Sequence, residues 1–440
     1  MTRAGVVPAY LTVAAALAFF ATSACATTSP LWQQAGNDAG HSAASSLTVP
    51  LAGRVGLNAQ WTWLGVNASA SEGLQSYDSL LSGFSVDGAG NIFTVLARGS
   101  AVASLSSSGA LRWSTSLAPA LVKATALVSD GSTIAALCKI NSVTSGAYNF
   151  SVVAMDAMTG KTRWTSLVFT SDSGGPQDPS ISFVASSASN TLILTFNDQN
   201  DQDSYSVTVY SIDALTGVLS VVWSFNAPEN TSVNVLAAVD ADDTLFIELS
   251  QSIYPASSSF LAAVPLSSRQ VKWNATSSGQ MGLLAVYGGS VTTSSVGSSA
   301  SARGLAVWSA ADGTIKVQSP QALCYGAWAV AMSTLVCFDQ MSLAQGFDLT
   351  TGARKWVAAL TGNWPRTAPT PPSNFVIADA AGTVFILQTH TLFVLDGATG
   401  RQLFTAAPNV AYPNAIAIGL GGTLLISSSY DGSVTAFLPA

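Results

Sequence analysis

The sequence predicts an all-β chain, an eight-bladed β-propeller of four-stranded antiparallel blades in which an N-terminal strand completes the last blade. Three observations predict it. A hairpin unit returns along most of the 440 residues. A second turn mark alternates with it, and no segment reads as a long amphipathic helix.

The hairpin unit is clearest at Ala154-Met155-Asp156-Ala157-Met158-Thr159-Gly160-Lys161-Thr162-Arg163-Trp164. It returns as Phe347-Asp348-Leu349-Thr350-Thr351-Gly352-Ala353-Arg354-Lys355-Trp356, and as Leu395-Asp396 through Gly400 to Phe404. In each copy Asp stands four residues before Gly, and an aromatic four residues after it. The carboxylate can accept turn N–H groups, Gly supplies a positive φ, and the returning strand carries an aromatic to pack on a neighbouring sheet. Asp213 and Gly217 keep the first interval, but Trp223 comes two residues late. Decayed copies stand at Gly109 with Trp113, at Gly313 with Val317, and at Trp273, where Arg269 replaces Gly. That replacement predicts a different geometry for this one turn.

The second mark is a turn followed at once by an apolar run, as in Asp87-Gly88-Ala89-Gly90 before Ile92-Phe93-Thr94-Val95-Leu96. Others stand at Asp130-Gly131, Ala188-Ser189-Asn190, Asp240-Ala241-Asp242-Asp243, Gly288-Gly289, Met332-Ser333-Thr334, Asp379-Ala380-Ala381-Gly382 and Gly421-Gly422. The hairpin glycine positions lie between 39 residues apart (Gly313 to Gly352) and 57 apart (Gly160 to Gly217), which suits a four-stranded blade. Eight marks of this second kind stand against seven of the first. The last unit, from about Ala415 to Leu438, supplies only three strands, while Gln60-Trp61-Thr62-Trp63 is an orphan with the aromatics of an outer strand. Lending that strand to the last unit closes the ring and removes both free edges. Seven blades follow instead if the weak unit at 281–319 is an insertion.

Composition sets the compartment and excludes some partners. Apolar residues make up 48% and charged residues 9%, against a usual charged share of roughly 25%, so disorder is excluded. A net charge of −7 with no basic run argues against nucleic acid. Arg3, the uncharged stretch from Val6 to Ala21 and Ala24-Cys25-Ala26 describe a secretory signal peptide over residues 1–26. A membrane anchor through the N-terminus and a lipidated Cys25 are the alternatives, the latter weakened by Thr22 where an aliphatic residue is expected. A polar lead-in, 27–56, then precedes a single propeller domain, 57–440. The charge-free run Ala322 to Phe338 is too short for a spanning helix and reads as two buried strands. No membrane span is expected after signal removal.

The unit resembles the quinoprotein, or PQQ-like, repeat A-x-D-x-x-T-G-x-x-x-W. Ala154 to Trp164 fits throughout, Asp348 to Trp356 fits from the Asp onward, and Asp396 to Phe404 fits with Phe for Trp. There is no Trp-Asp dipeptide, and other propeller signatures fit less well. The resemblance implies the fold and two functional branches. Dehydrogenases hold pyrroloquinoline quinone and Ca²⁺ in the ring, beneath a disulfide of adjacent cysteines. They also use a Trp floor, a Glu, Asn and Asp shell and an Asp base. No two cysteines here are adjacent, and none of that set maps residue by residue. The chain resembles the non-enzymatic outer-membrane-assembly-lipoprotein-like branch more than the quinoprotein alcohol dehydrogenases. Trp328, on an expected inner strand, is the one candidate to line the channel, and it reads as ordinary packing.

Other chemistry-bearing residues are few. The histidines are His41, in the lead-in, and His390, in a strand-like run beside Thr389 and Thr391. Neither suggests a triad or a metal site. The loop from Asn197 to Asp203 has oxygen ligands suited to Ca²⁺ but reads as a solvated hairpin tip. Trp364-Pro365-Arg366 is the most site-like connection. Cys324 and Cys337 are placed to face each other across one hairpin, with Cys138 a spare buried residue. Sequons stand at Asn67, Asn149, Asn230 and Asn274 and permit N-glycosylation. No catalytic, cofactor-binding or metal residue is assigned. The expectation is a secreted, non-catalytic binding or scaffold propeller whose partner is a protein or carbohydrate on one face. The alternative is a divergent PQQ- and Ca²⁺-dependent oxidoreductase acting on an alcohol or sugar. A carbohydrate-active enzyme would need two carboxylates about 5–10 Å apart in a groove.

Overall fold

The structure is a computed structural model that describes residues 47–51, 56–64, 85–96, 99–128, 130–141, 148–171, 180–186, 188–201, 204–226, 232–253, 256–278, 280–296, 304–319, 324–338, 343–360, 374–388, 390–410, 413–428 and 433–440. These residues form eight four-stranded antiparallel sheets and no α-helix. Blades 1 to 7 span 85–116, 121–171, 180–226, 232–278, 280–319, 325–358 and 374–406. Blade 8 combines 413–439 with Leu57–Trp63, which pairs antiparallel with Val434–Pro439. The N-terminal strand closes the ring as expected, and the weak unit at 281–319 is a complete blade.

Within a blade the strands run in chain order from the channel outward, and the first strands of successive blades neighbour one another. Each sheet is covered on both faces by its neighbours, so second and third strands are mostly buried, and Thr383–Gln388 is buried throughout. Outer strands alternate instead, as in Arg354–Ala358, where Trp356 is buried and the residues beside it are exposed. The charge-free run resolves into strands Tyr325–Ala331 and Thr334–Phe338, and a disulfide joins Cys324 to Cys337.

The repeat's tryptophans tie five of the eight blades to the next. Trp113, Trp164, Trp273 and Trp356 each donate an indole N–H to a turn carbonyl of the following blade, at 2.8–3.1 Å. Trp61 does the same to Ser107 across the closure, at 3.1 Å. Each ring lies on the turn's glycine so closely that a Cβ at Gly400 would come within 2.4 Å of Trp356. Where Asp stands four residues before the glycine it fixes the turn from within: Asp156 Oδ1 accepts the Met158 and Thr159 N–H groups at 3.1 and 2.8 Å. Just before the aromatic, or before Val317 in blade 5, the outer strand carries a one-residue bulge in blades 1, 2, 3, 5, 6, 7 and 8. A bulge re-aims its side chain. In four of these blades that residue is a cation turned back across the sheet, as Arg163 is to Thr133 at 2.7 Å and Lys355 to Thr334 at 3.1 Å.

One expectation is corrected. The turn at Arg269 keeps the common geometry, with φ of +55° and the same bond back to Pro265 O, 2.9 Å. What changes is the cover. Trp223, two residues late, stacks parallel to Phe225 and Phe260 at centroid distances of 5.9 and 6.3 Å. In the other turns an aromatic or valine side chain leaves no room for a Cβ. Moving Trp223 onto Phe260 provides that room, so the late Trp and the missing Gly are one coupled change.

Candidate functional site on the turn face

First-to-second and third-to-fourth strand turns lie on the same face of the disc. They are tied together within blades: Ala157 N–H donates to Ser132 O and Leu349 N–H to Ser333 O, both at 2.9 Å. Most carboxylates of this face serve the turns. The Thr216 N–H holds the Asp213 carboxyl below its ordinary range, and the Thr351 N–H does the same for Asp348. Partial burial raises Asp156, but the Arg163 and Thr159 hydrogen bonds outweigh it and the net shift is downward. Arg163 also pairs with Asp156 at 2.7 Å. Charge that the sequence left available is thus engaged in structure.

The feature of this face that composition did not foreshadow is a peptide held in a notch. Residues 47–51 of the lead-in, Leu-Thr-Val-Pro-Leu, cross from the turn of blade 7 to that of blade 8. Ala380 N–H donates to Leu47 O at 2.9 Å, and Val49 N–H to Asp379 Oδ2 at 3.0 Å. Asp379 Oδ1 meanwhile caps its own turn through the Ala381 and Thr383 N–H groups, at 3.0 and 2.7 Å. Val49 is 3% exposed and joins Ile377, Ile418 and Leu424 in the core between the two blades. Gly422 permits the approach, since a Cβ there would meet Thr48 O at 2.6 Å. The lead-in that reads as polar therefore ends in an apolar strap recognised mainly through its backbone.

Most other candidates are structural. Trp328 lies on an inner strand as expected, but is buried among Cys324, Cys337, Val330 and Leu335 between blades 5 and 6. His390 sits at the turn between two strands of blade 7, exposed, with Nδ1 3.3 Å from Val410 O. Residues 197–201 extend a strand into a hairpin with Ser204–Asp213, and Asn197 is buried and donates to Val233 O. His41, residues 202–203, Trp364-Pro365-Arg366, Asn67 and Asn230 lie outside the described residues, as do residues 1–46. Asn149 is half-buried and Asn274 exposed. Cys138 is buried, and burial pushes its thiol up to about 12.

Sequence reading passed over Glu248. It lies in a second strand, paired with Leu236 and Leu261, facing blade 5. It is 1% exposed, and burial pushes its carboxyl up to about 8 against an opposing hydrogen bond from Ser250, 3.0 Å. Its Oε2 has no partner among the described residues. Among the described residues no three His, Cys, Asp or Glu side chains gather as a metal site, and no helix is long and apolar enough to cross a membrane.

Comparison with known proteins follows this architecture. The BamB structure of Moraxella catarrhalis superposes with a TM-score of 0.54 at 14% identity, covering 87% of this chain and 97% of that one. The quinohemoprotein alcohol dehydrogenase of Comamonas testosteroni gives 0.57 at 12% identity, covering 96% and 82%. The computationally designed Ika8 protein gives 0.52 at 13% identity, covering 79% and 93%. At these identities the likeness is one of fold. No curated protein matches the chain. The family model described as outer membrane protein assembly factor BamB matches residues 24–319, about two-thirds of the sequence, and the chain belongs to that family of PQQ-like repeat propellers.

Proposed function

We propose that the chain is a secreted, non-catalytic binding or scaffold propeller that engages a protein or carbohydrate on one face. The observation that carries the reading is the strap: the turn face holds an extended peptide by paired backbone hydrogen bonds and one apolar anchor. That is the chemistry of a recognition surface. The channel supports the same reading. The eight inner strands, among them Ser180–Ala185, Ser232–Val239 and Gln280–Tyr287, contain no Asp or Glu. The quinone and Ca²⁺ of the dehydrogenase branch need carboxylates and a planar aromatic floor facing the channel. The described inner strands do not fit that group, and Trp328 is packed between blades.

The discriminating measurement is thermal unfolding of the mature protein with and without pyrroloquinoline quinone plus Ca²⁺. A ligand at about 100 times its Kd adds roughly 2.7 kcal/mol to stability, a readily measured rise in Tm. The binding-propeller reading expects no shift. A rise that requires both components overturns it in favour of an oxidoreductase acting on an alcohol or sugar.

A further inference from the structure

Three turns of the ring have the same five-residue form: Asp87 to Asn91, Asp240 to Thr244 and Asp379 to Thr383. In each, Asp Oδ1 accepts the N–H groups of the residues two and four positions on. That leaves Oδ2, and the N–H of the residue after the Asp, pointing at the same side of the turn. In blade 7 these two groups clamp the strap, Oδ2 on Val49 N–H and Ala380 N–H on Leu47 O. In blade 1 the clamp is closed from within, because Asn91 Nδ2 donates to Asp87 Oδ2 at 2.7 Å. In blade 4 it is open. Asp240 Oδ2 and Ala241 N–H have no partner among the described residues, and both residues reach solvent.

The neighbouring turn tells the same story. The blade 8 turn beside Asp379 carries Gly422, which the strap covers. Elsewhere a side chain from the preceding blade does the covering: Leu420 lies on Gly90 and Met332 on Gly382. The turn beside Asp240 is Gly288-Gly289, and among the described residues nothing lies within 4 Å of a Cβ built on either residue, as is true in the blade 8 turn of Gly421 but not of Gly422. The apolar residues below agree. Ile418, under the strap, is fully buried. Val286, its counterpart, is only half-buried, and Tyr287 beside it is 42% exposed.

We propose that the notch between blades 4 and 5 on the turn face is an open docking site for an extended, apolar peptide segment of a partner protein. The partner donates one N–H to Asp240 Oδ2, offers the carbonyl two residues earlier to Ala241 N–H, and sets a small β-branched side chain over Val286. The strap in blades 7 and 8 shows every one of these contacts made in cis. The inference rests on the binding-propeller reading and names its partner's chemistry. The quinone and Ca²⁺ melting test reports on that reading separately.

The probe is a fluorescein-labelled synthetic peptide of residues 45–53, titrated with the full propeller and read by fluorescence anisotropy. Saturable binding is expected. It should weaken about tenfold or more, the scale of one charge-assisted hydrogen bond, in Asp240→Asn, whose amide presents a donor to the peptide N–H. Tyr287→Glu, an exposed substitution that leaves the turn's caps in place, should weaken it likewise. A peptide with Pro in place of Val49 lacks the N–H and should bind no better than those variants. Absence of saturable binding up to about 1 mM overturns the proposal. So does binding that neither substitution changes, which would place the peptide in the strap's own notch.

Discussion

Glu248 is the one carboxylate of the described fold that is wholly buried and half unpartnered, and its removal tests the packing account most sharply. Its side chain is 1% exposed. It lies on the same strand face as Phe246, which packs with Leu284, Val291 and Trp308 in the core between blades 4 and 5. Burial pushes the carboxyl up to about 8, from 4.5. Between those two pH values the folded chain holds a proton that the unfolded chain has released. Stability is therefore complete below about 4.5, falls as pH rises by about 1.4 kcal/mol per unit, and levels off above about 8. At pH 7 the cost is on the order of 3 kcal/mol, a large part of the 5–15 kcal/mol typical of a fold.

Glu248→Gln keeps the shape and removes the titration. Glu248→Leu removes the desolvation cost as well, at a site already paired with Leu236 and Leu261. The assay is the urea or thermal midpoint at half-unit steps from pH 5 to 8, for wild type and both variants. The wild-type midpoint should fall steadily while both variants stay flatter. Glu248→Leu should exceed wild type at pH 8 by on the order of 3 kcal/mol. A wild-type midpoint independent of pH across this window, or a slope that survives in both variants, refutes the reasoning.

Gly400→Ala puts a Cβ against the Trp356 ring, at φ of +71°, and should cost about 2–4 kcal/mol. Arg269→Gly should instead be neutral or stabilising by up to about 1 kcal/mol, because Trp223 stands elsewhere and a non-Gly residue at positive φ is relieved; thermal midpoints of the pair decide the point. Reduction of the Cys324–Cys337 disulfide, or its replacement by two serines, opens a short loop of 13-residue separation. The loss should be about 3 kcal/mol on a chain-entropy account, read as a Tm difference with and without reductant.

What the sequence made legible was whatever the repeat states locally. Asp156, Gly160 and Trp164 announce a turn and its cover within eleven residues, and the orphan strand at Trp61 and Trp63 announces the closure. The blade at 281–319 was ambiguous because Ser309 stands where Asp should and Val317 where Trp should. Its turn nonetheless closes with the usual bond, Gly313 N–H to Ser309 O at 2.9 Å. Glu248 was missed because a lone acid in Leu245-Phe246-Ile247-Glu248-Leu249 reads as a solvent-facing position. A second strand has no solvent face, and that rule was the signal available. The strap had no signal in its own composition. It is recognised through backbone groups, by an Asp 330 positions away.

Several departures from the repeat share one sector, although left-handed non-Gly residues also stand at Met332 and Asn409 and Gly421 is uncovered in the blade 8 turn. Trp223 leaves its place for Phe260, Arg269 and Asp243 hold left-handed turns at φ of +55° and +56°, and Glu248 is buried without a full set of partners. Gly288 and Gly289 are left uncovered. All four fall within the sector of blades 3 to 5. The left-handed non-Gly residues cost about 1 kcal/mol each, and the buried acid more. Blades 2 and 7 show that the same chain can build the unit without these costs. Local rules broken together are the mark of a surface held for something other than the fold, and this arc contains the open Asp240 clamp.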